Sequence, residues 1–95
     1  MGTAATAAAD SPPNCTAPDL AGIMSGVSAA TSADLFTHPD VNDFFTNSLK
    51  GLTREQAVAK VRDYMATHPQ AKADLTGIRQ PLVDLRDRCA LPPAP

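Results

Sequence analysis

Two copies of one tripeptide, Thr37-His38-Pro39 and Thr67-His68-Pro69, set the main limit on how this chain can fold. Proline disfavours helical geometry in the residue before it and is well suited to the first position of a helix. Each copy therefore predicts the end of one helix and the start of the next. Upstream of the first copy, Thr16 can cap a helix whose first turn holds Pro18 and Asp19. Leu20, Ile23, Met24, Val27, Ala30 and Thr31 then form a stripe at helical spacing. The stripe extends to Asp34 and His38, at the C-terminal end of the same face.

Between the two copies lie two further patterns. Asp40, Asn42 and Asp43 favour the positive end of a helix dipole, and Val41, Phe44, Phe45, Ser48, Leu49 and Leu52 make an apolar face that Gly51 is expected to stop. Thr53-Arg54-Glu55-Gln56 reads as a capping box, with Leu52 and Ala57 placed as a hydrophobic staple. The helix it opens carries Ala57, Val58, Val61, Tyr64, Met65 and His68 on one face. After Pro69, Leu75, Ile78, Leu82, Leu85 and Cys89 keep spacings of three and four straight through Pro81. That period predicts one kinked helix, or two short ones in line, with the break between about Gly77 and Pro81. No segment alternates β-branched residues between hairpin turns, so the expected fold is all-α: a small bundle of four to five helices.

Ninety-five residues leave only a modest core. Cys15 and Cys89 bracket the helical region, and their placement suggests a disulfide joining the first and last elements. Closing a loop of that length stabilises a chain by about 4 kcal/mol in the chain-entropy treatment. Such a bond persists in an oxidising compartment. The start is rich in small residues, and Ala7-Ala8-Ala9 before Asp10 fits the end of a secretory signal. The expected layout is a disordered tail with a signal remnant over 1–14, one helical domain over 15–91 and a disordered tail over 92–95. This reads as a secreted or cell-envelope protein, exported by a signal mostly absent from the sequence. No stretch is long and apolar enough for a transmembrane helix. The net charge of −2, with Lys and Arg scattered singly, argues against nucleic acid as a partner.

The residues that could carry chemistry are few. His38 can serve as a ligand or simply meet the last carbonyls of its helix, and Asp34 can orient it or form an ordinary i, i+4 pair. Tyr64 and His68, four residues apart on one face, can be core residues or a phenolate and an imidazole held for ferric iron. Asp34, His38 and His68 are also ordinary ligand types for zinc or copper. Phe36, Phe44, Phe45, Met24 and Met65 are core candidates, or the lining of an apolar slot for a flat ligand. There is no paired-carboxylate motif, phosphate loop or nucleophile elbow, and no enzymatic activity is expected.

From Cys15 to Pro92 the sequence resembles the small secreted haemophore-type haem-binding proteins of mycobacteria and related actinobacteria. The residues that carry the resemblance are His38-Pro39-Asp40-Val41-Asn42, His68-Pro69 with Ala73-Asp74-Leu75, Gln80-Pro81-Leu82-Val83-Asp84-Leu85 and Arg88-Cys89-Ala90-Leu91-Pro92. The resemblance implies an exported, disulfide-linked, all-α protein that binds haem and carries it toward a membrane transporter. In the family pattern a tyrosine precedes the first histidine by four residues and another histidine lies on the third helix. His38 matches the first histidine, Asp34 stands where the tyrosine is expected, Tyr64 falls at about the later histidine, and His68 is additional. His38, Tyr64 and His68 are thus the expected haem-binding residues and iron-ligand candidates, with Lys60, Arg62, Lys72 or Arg79 for the propionates. A chain this small would hold haem in a shallow groove or between the subunits of a homo-oligomer. Two other readings stay open: a secreted helical structural or interaction module without cofactor, and a transition-metal binder.

Overall fold

The computed structural model describes residues 14–90, and the expectations for residues 1–13 and 91–95 lie outside them. The described chain is all-α, with helices α1 (Ala17–Thr37), α2 (Pro39–Asn47), α3 (Arg54–Thr67) and α4 (Pro69–Cys89), and no strand among the described residues. Both Thr-His-Pro sequences act as predicted. α1 ends at Thr37 and α2 starts on Pro39; α3 ends at Thr67 and α4 starts on Pro69.

Local chemistry explains the other boundaries. Before α1, the Thr16 N–H donates to Asp19 Oδ2 at 2.9 Å and the Thr16 hydroxyl to the same atom at 2.6 Å. These bonds to the ionised form hold the Asp19 carboxyl below its ordinary range. Before α3 the capping box is complete: Thr53 Oγ1 accepts from the Gln56 N–H at 3.1 Å, and Gln56 Oε1 accepts from the Thr53 N–H at 2.9 Å. Thr53→Ala is expected to lower stability by about 1 kcal/mol, read as the midpoint of urea unfolding. An unmoved midpoint would show that tertiary packing alone holds this end.

α2 stops at Asn47, earlier than Gly51, because Ser48 to Gly51 form a turn in which Gly51 takes φ +76. Glycine enters that left-handed region without the Cβ clash other residues meet. α4 runs unbroken through Pro81, as one helix rather than two. The side chains at Leu75, Ile78, Leu82, Leu85 and Cys89 are all at least half-buried, so the apolar stripe holds one helical phase across the proline.

The chain divides into two compact units. One takes its described residues from the two ends, 14–28 and 79–90; the other spans Ala29–Ile78. In the first, Cys15 and Cys89 form the predicted disulfide, with Cα atoms 5.5 Å apart across 74 residues of sequence. The guanidinium of Arg88 donates to the Asn14 carbonyl at 3.2 Å, and Leu85 is buried with 1% of its surface exposed. In the second, Val41, Phe44 and Ala71 are buried.

Three large apolar residues, and the small Ala30, depart from the expected inward positions. The helical spacing puts Met24 and Val58 in the stripes of α1 and α3, yet both are about half exposed, and Phe36 is 80% exposed. Each lies one position from a residue that takes the inward place: Ile23, Ala57 and Leu35 are half-buried instead. A helix of 3.6 residues per turn has room for only one of two adjacent apolar side chains on the centre of its face. Among the described residues, no helix is long and apolar enough to cross a membrane.

Candidate functional site

The two histidines occupy matching positions. At the junction of α1 and α2, the His38 backbone has φ −130 and ψ 80, its N–H donates to the Leu35 carbonyl, and its own carbonyl receives the Asn42 N–H. At the junction of α3 and α4, His68 has φ −131 and ψ 71, donates to the Met65 carbonyl and receives the Lys72 N–H. The side chains repeat the likeness. His38 Nδ1 lies 2.7 Å from the Asp34 carbonyl and 3.1 Å from Thr37 Oγ1; His68 Nδ1 lies 2.7 Å from the Tyr64 carbonyl and 3.0 Å from Thr67 Oγ1.

A carbonyl oxygen only accepts hydrogen bonds, so both Nδ1 atoms carry the proton. In the neutral ring this leaves Nε2 with its lone pair free, the form in which imidazole binds a metal. Thr-His-Pro therefore does two jobs. Proline ends the helix, and the carbonyl four residues back fixes the ring and its tautomer.

His38 and His68 both line one cleft of about 290 Å³ in the Ala29–Ile78 unit. Val41, Pro69 and Ala71 supply its apolar wall, and Asp34, Asp40 and Asp74 its charge. His38 sits among these carboxylates, with Nδ1 3.4 Å from Asp34 Oδ1 and Nε2 4.0 Å from Asp74 Oδ2. Its pKa is raised, first by the hydrogen bond to the Asp34 carbonyl and then, against some desolvation, by the charges of Asp34, Asp74 and Asp40. The sequence marks Asp40 as a helix-start acid and Asp74 as part of the family motif, but neither as a site residue. Asp74 lies 36 positions from His38, and no local pattern links them.

Tyr64 has a different place. Its ring is stacked between Phe44, with centroids 3.9 Å apart and planes at 18°, and His68, at 3.7 Å and 9°. Phe45 meets Phe44 edge-on at 5.2 Å. Tyr64 is not one of the cleft's lining residues, and burial, then the Asp40 charge, pushes its phenol pKa up. Both effects oppose a resting phenolate. Its ring backs the His68 imidazole while its backbone carbonyl holds Nδ1–H. Lys60, Arg62, Lys72 and Arg79 are exposed and stand outside the cleft lining, which contains no cation.

The model of the family described as "Haemophore, haem-binding" matches residues 13–90, which take in all four helices and both cysteines. The chain belongs to the haem-binding haemophore family. It is 32% identical over 78 residues to "Heme-binding protein Rv0203" of Mycobacterium tuberculosis, a match covering 82% of this chain. The chain spans 57% of that relative's length. No solved structure matches. Haem is thus the ligand that membership of the haemophore family assigns.

The cleft fits haem in its donors and is small in volume. An imidazole Nε2 in the neutral form is a suitable donor to ferric iron, and the apolar wall suits a flat macrocycle. At about 290 Å³, the space lies at the lower limit of ordinary small-molecule pockets, roughly 300–1,000 Å³. A haemophore of this shape would hold its ligand along one part and leave the rest outside. Asp34, Asp40 and Asp74 line the cleft, and their charge would disfavour haem propionates beside them.

Proposed function

We propose that this haemophore-family chain is an exported, non-enzymatic haem carrier that binds ferric haem at the cleft between the two histidine junctions. His38 and His68 donate through Nε2, and Tyr64 supports His68 by stacking and through its carbonyl. The observation that carries this reading is the pair of imidazoles in one cleft, each with Nδ1–H held by a carbonyl at 2.7 Å. Export is supported by the disulfide, which belongs to oxidising compartments. Delivery to a membrane transporter, and a second copy of the chain covering what the cleft leaves exposed, complete the proposal.

The direct test is titration of the oxidised protein with ferric haem, followed at the Soret band. Saturation at a fixed stoichiometry is expected. A weak, non-saturating rise, shared by wild type and a His38→Ala, His68→Ala double variant, would refute haem carriage by this site.

The same titration carries a pH prediction. Iron and a proton compete for His38 Nε2, and the raised pKa means the protonated form persists to higher pH than for a free imidazole. Haem affinity is therefore expected to be full above the raised pKa. Below it, affinity should fall by up to about tenfold per pH unit for one competing proton. For folding the sign is opposite, since the protonated ring is favoured in the native state. That contribution is fully present below the unfolded pKa and is lost as pH rises through the folded one. Haem affinity that stays flat on acidification would remove His38 from the ligand set.

A further inference from the structure

We propose that Asp34, His38 and Asp74 form a divalent transition-metal site, of the zinc class, separate from the Tyr64–His68 stack and sharing only His38 with the proposed haem ligands. One ring nitrogen of His38 and one carboxylate oxygen from each aspartate lie within 4.8 Å of one another. The hydrogen bonds identify the free nitrogen as Nε2, because Nδ1–H is held by the Asp34 carbonyl at 2.7 Å. Nε2 is 4.0 Å from Asp74 Oδ2. Donors about 2.0–2.2 Å from a tetrahedral zinc stand roughly 3.3–3.5 Å apart, so Nε2 and Asp74 Oδ2 need to close only part of an ångström, while the Asp34 carboxylate, whose Oδ1 lies 3.4 Å from Nδ1, must turn toward Nε2.

Three features make this more than a group of surface acids. The donor set is mixed, one imidazole and two carboxylates, which are the nitrogen and oxygen ligands of a three-residue zinc site with the fourth position left to water. The donors are oriented from behind. The Asp34 carbonyl holds the imidazole, and Gln70 Nε2 donates to Asp74 Oδ1 at 2.8 Å, leaving Oδ2 turned to His38. Negative charge is in excess as well: Asp34, Asp40 and Asp74 all line the cleft with His38 between them, and no Lys or Arg does. A divalent cation would offset it.

A consequence follows from the shared atom. One Nε2 lone pair cannot serve two metals, so a divalent ion and haem iron exclude each other at His38. Metal loading would then lower haem affinity without any change of fold.

Cobalt(II) is the probe for the test, with zinc as the competitor, on the oxidised apo chain. Cobalt is expected to give saturable visible d–d bands that zinc abolishes. Asp74→Asn should weaken binding by at least about tenfold, as His38→Ala should, whereas His68→Ala should leave the cobalt spectrum in place. Far-UV circular dichroism and the melting temperature of each variant separate ligand loss from unfolding. Zinc-saturated protein should need at least about tenfold more haem to reach half saturation. The absence of saturable bands, or bands unchanged in both Asp74→Asn and His38→Ala, would overturn the proposal. These readouts need no haem, so a failed Soret titration and a failed cobalt titration are independent results.

Discussion

Reduction of Cys15–Cys89 is expected to lower the melting temperature by roughly 15–30 °C. In the chain-entropy treatment, a cross-link spanning 74 residues removes about 4 kcal/mol of freedom from the unfolded chain. For a domain of this size each kcal/mol corresponds to about 4–8 °C. Few buried side chains are present to compensate. Val41, Phe44, Ala71 and Leu85 are the buried hydrophobic residues among those described, and only Leu85 belongs to the unit that holds the disulfide. That unit is drawn from the two ends of the chain, so without the bond its halves must meet across the whole intervening sequence. The bond would therefore supply a large fraction of a total that is about 5–15 kcal/mol in ordinary domains. Thermal unfolding with and without reductant, beside a Cys15→Ser, Cys89→Ser variant, measures it. Equal midpoints would mean that helix packing alone holds the ends together.

Loss of both imidazoles is expected to reduce haem affinity by at least about 100-fold, the largest functional effect of any pair of substitutions here. Each Nε2 is a preset donor, since the carbonyl bond at Nδ1 fixes both the tautomer and the ring direction. Removing one donor leaves the other, so single variants should lose less than the double. Tyr64→Phe makes the sharper distinction. If Tyr64 works through its ring, between Phe44 and His68, then phenylalanine keeps the stack and haem affinity should stay within about threefold. If the phenolate is the ligand, that substitution abolishes saturation while His68→Ala does not. The raised phenol pKa and the residue's place outside the cleft lining favour the first outcome.

Most of the fold was legible because its signals are local. The capping box at Thr53 and Gln56 and the two Thr-His-Pro junctions each act within a few residues, and each appears where the sequence predicts. The haem-family resemblance was legible for a similar reason, since its motifs are short and cover the span from Cys15 to Pro92. Pro81 was less legible. A proline removes one backbone donor, and from sequence that can mean a break or a tolerated defect; here the helix continues. The exposure of Met24, Val58 and Phe36 was not legible, because adjacent apolar residues compete for one inward position and only the neighbouring helices decide between them.

The candidate site divides along the same line. His38, His68 and the carbonyls that orient them come from sequence by itself, through helix-end geometry that needs nothing beyond residues 34–39 and 64–69. Asp74 beside His38, the convergence of the two imidazoles on one cleft and the stacking of Phe44 on Tyr64 belong to the tertiary structure. The physical reason is range. Hydrogen bonds of caps and turns are made between near neighbours in the chain. A cleft is made by side chains distant in sequence, whose positions depend on how the helices pack.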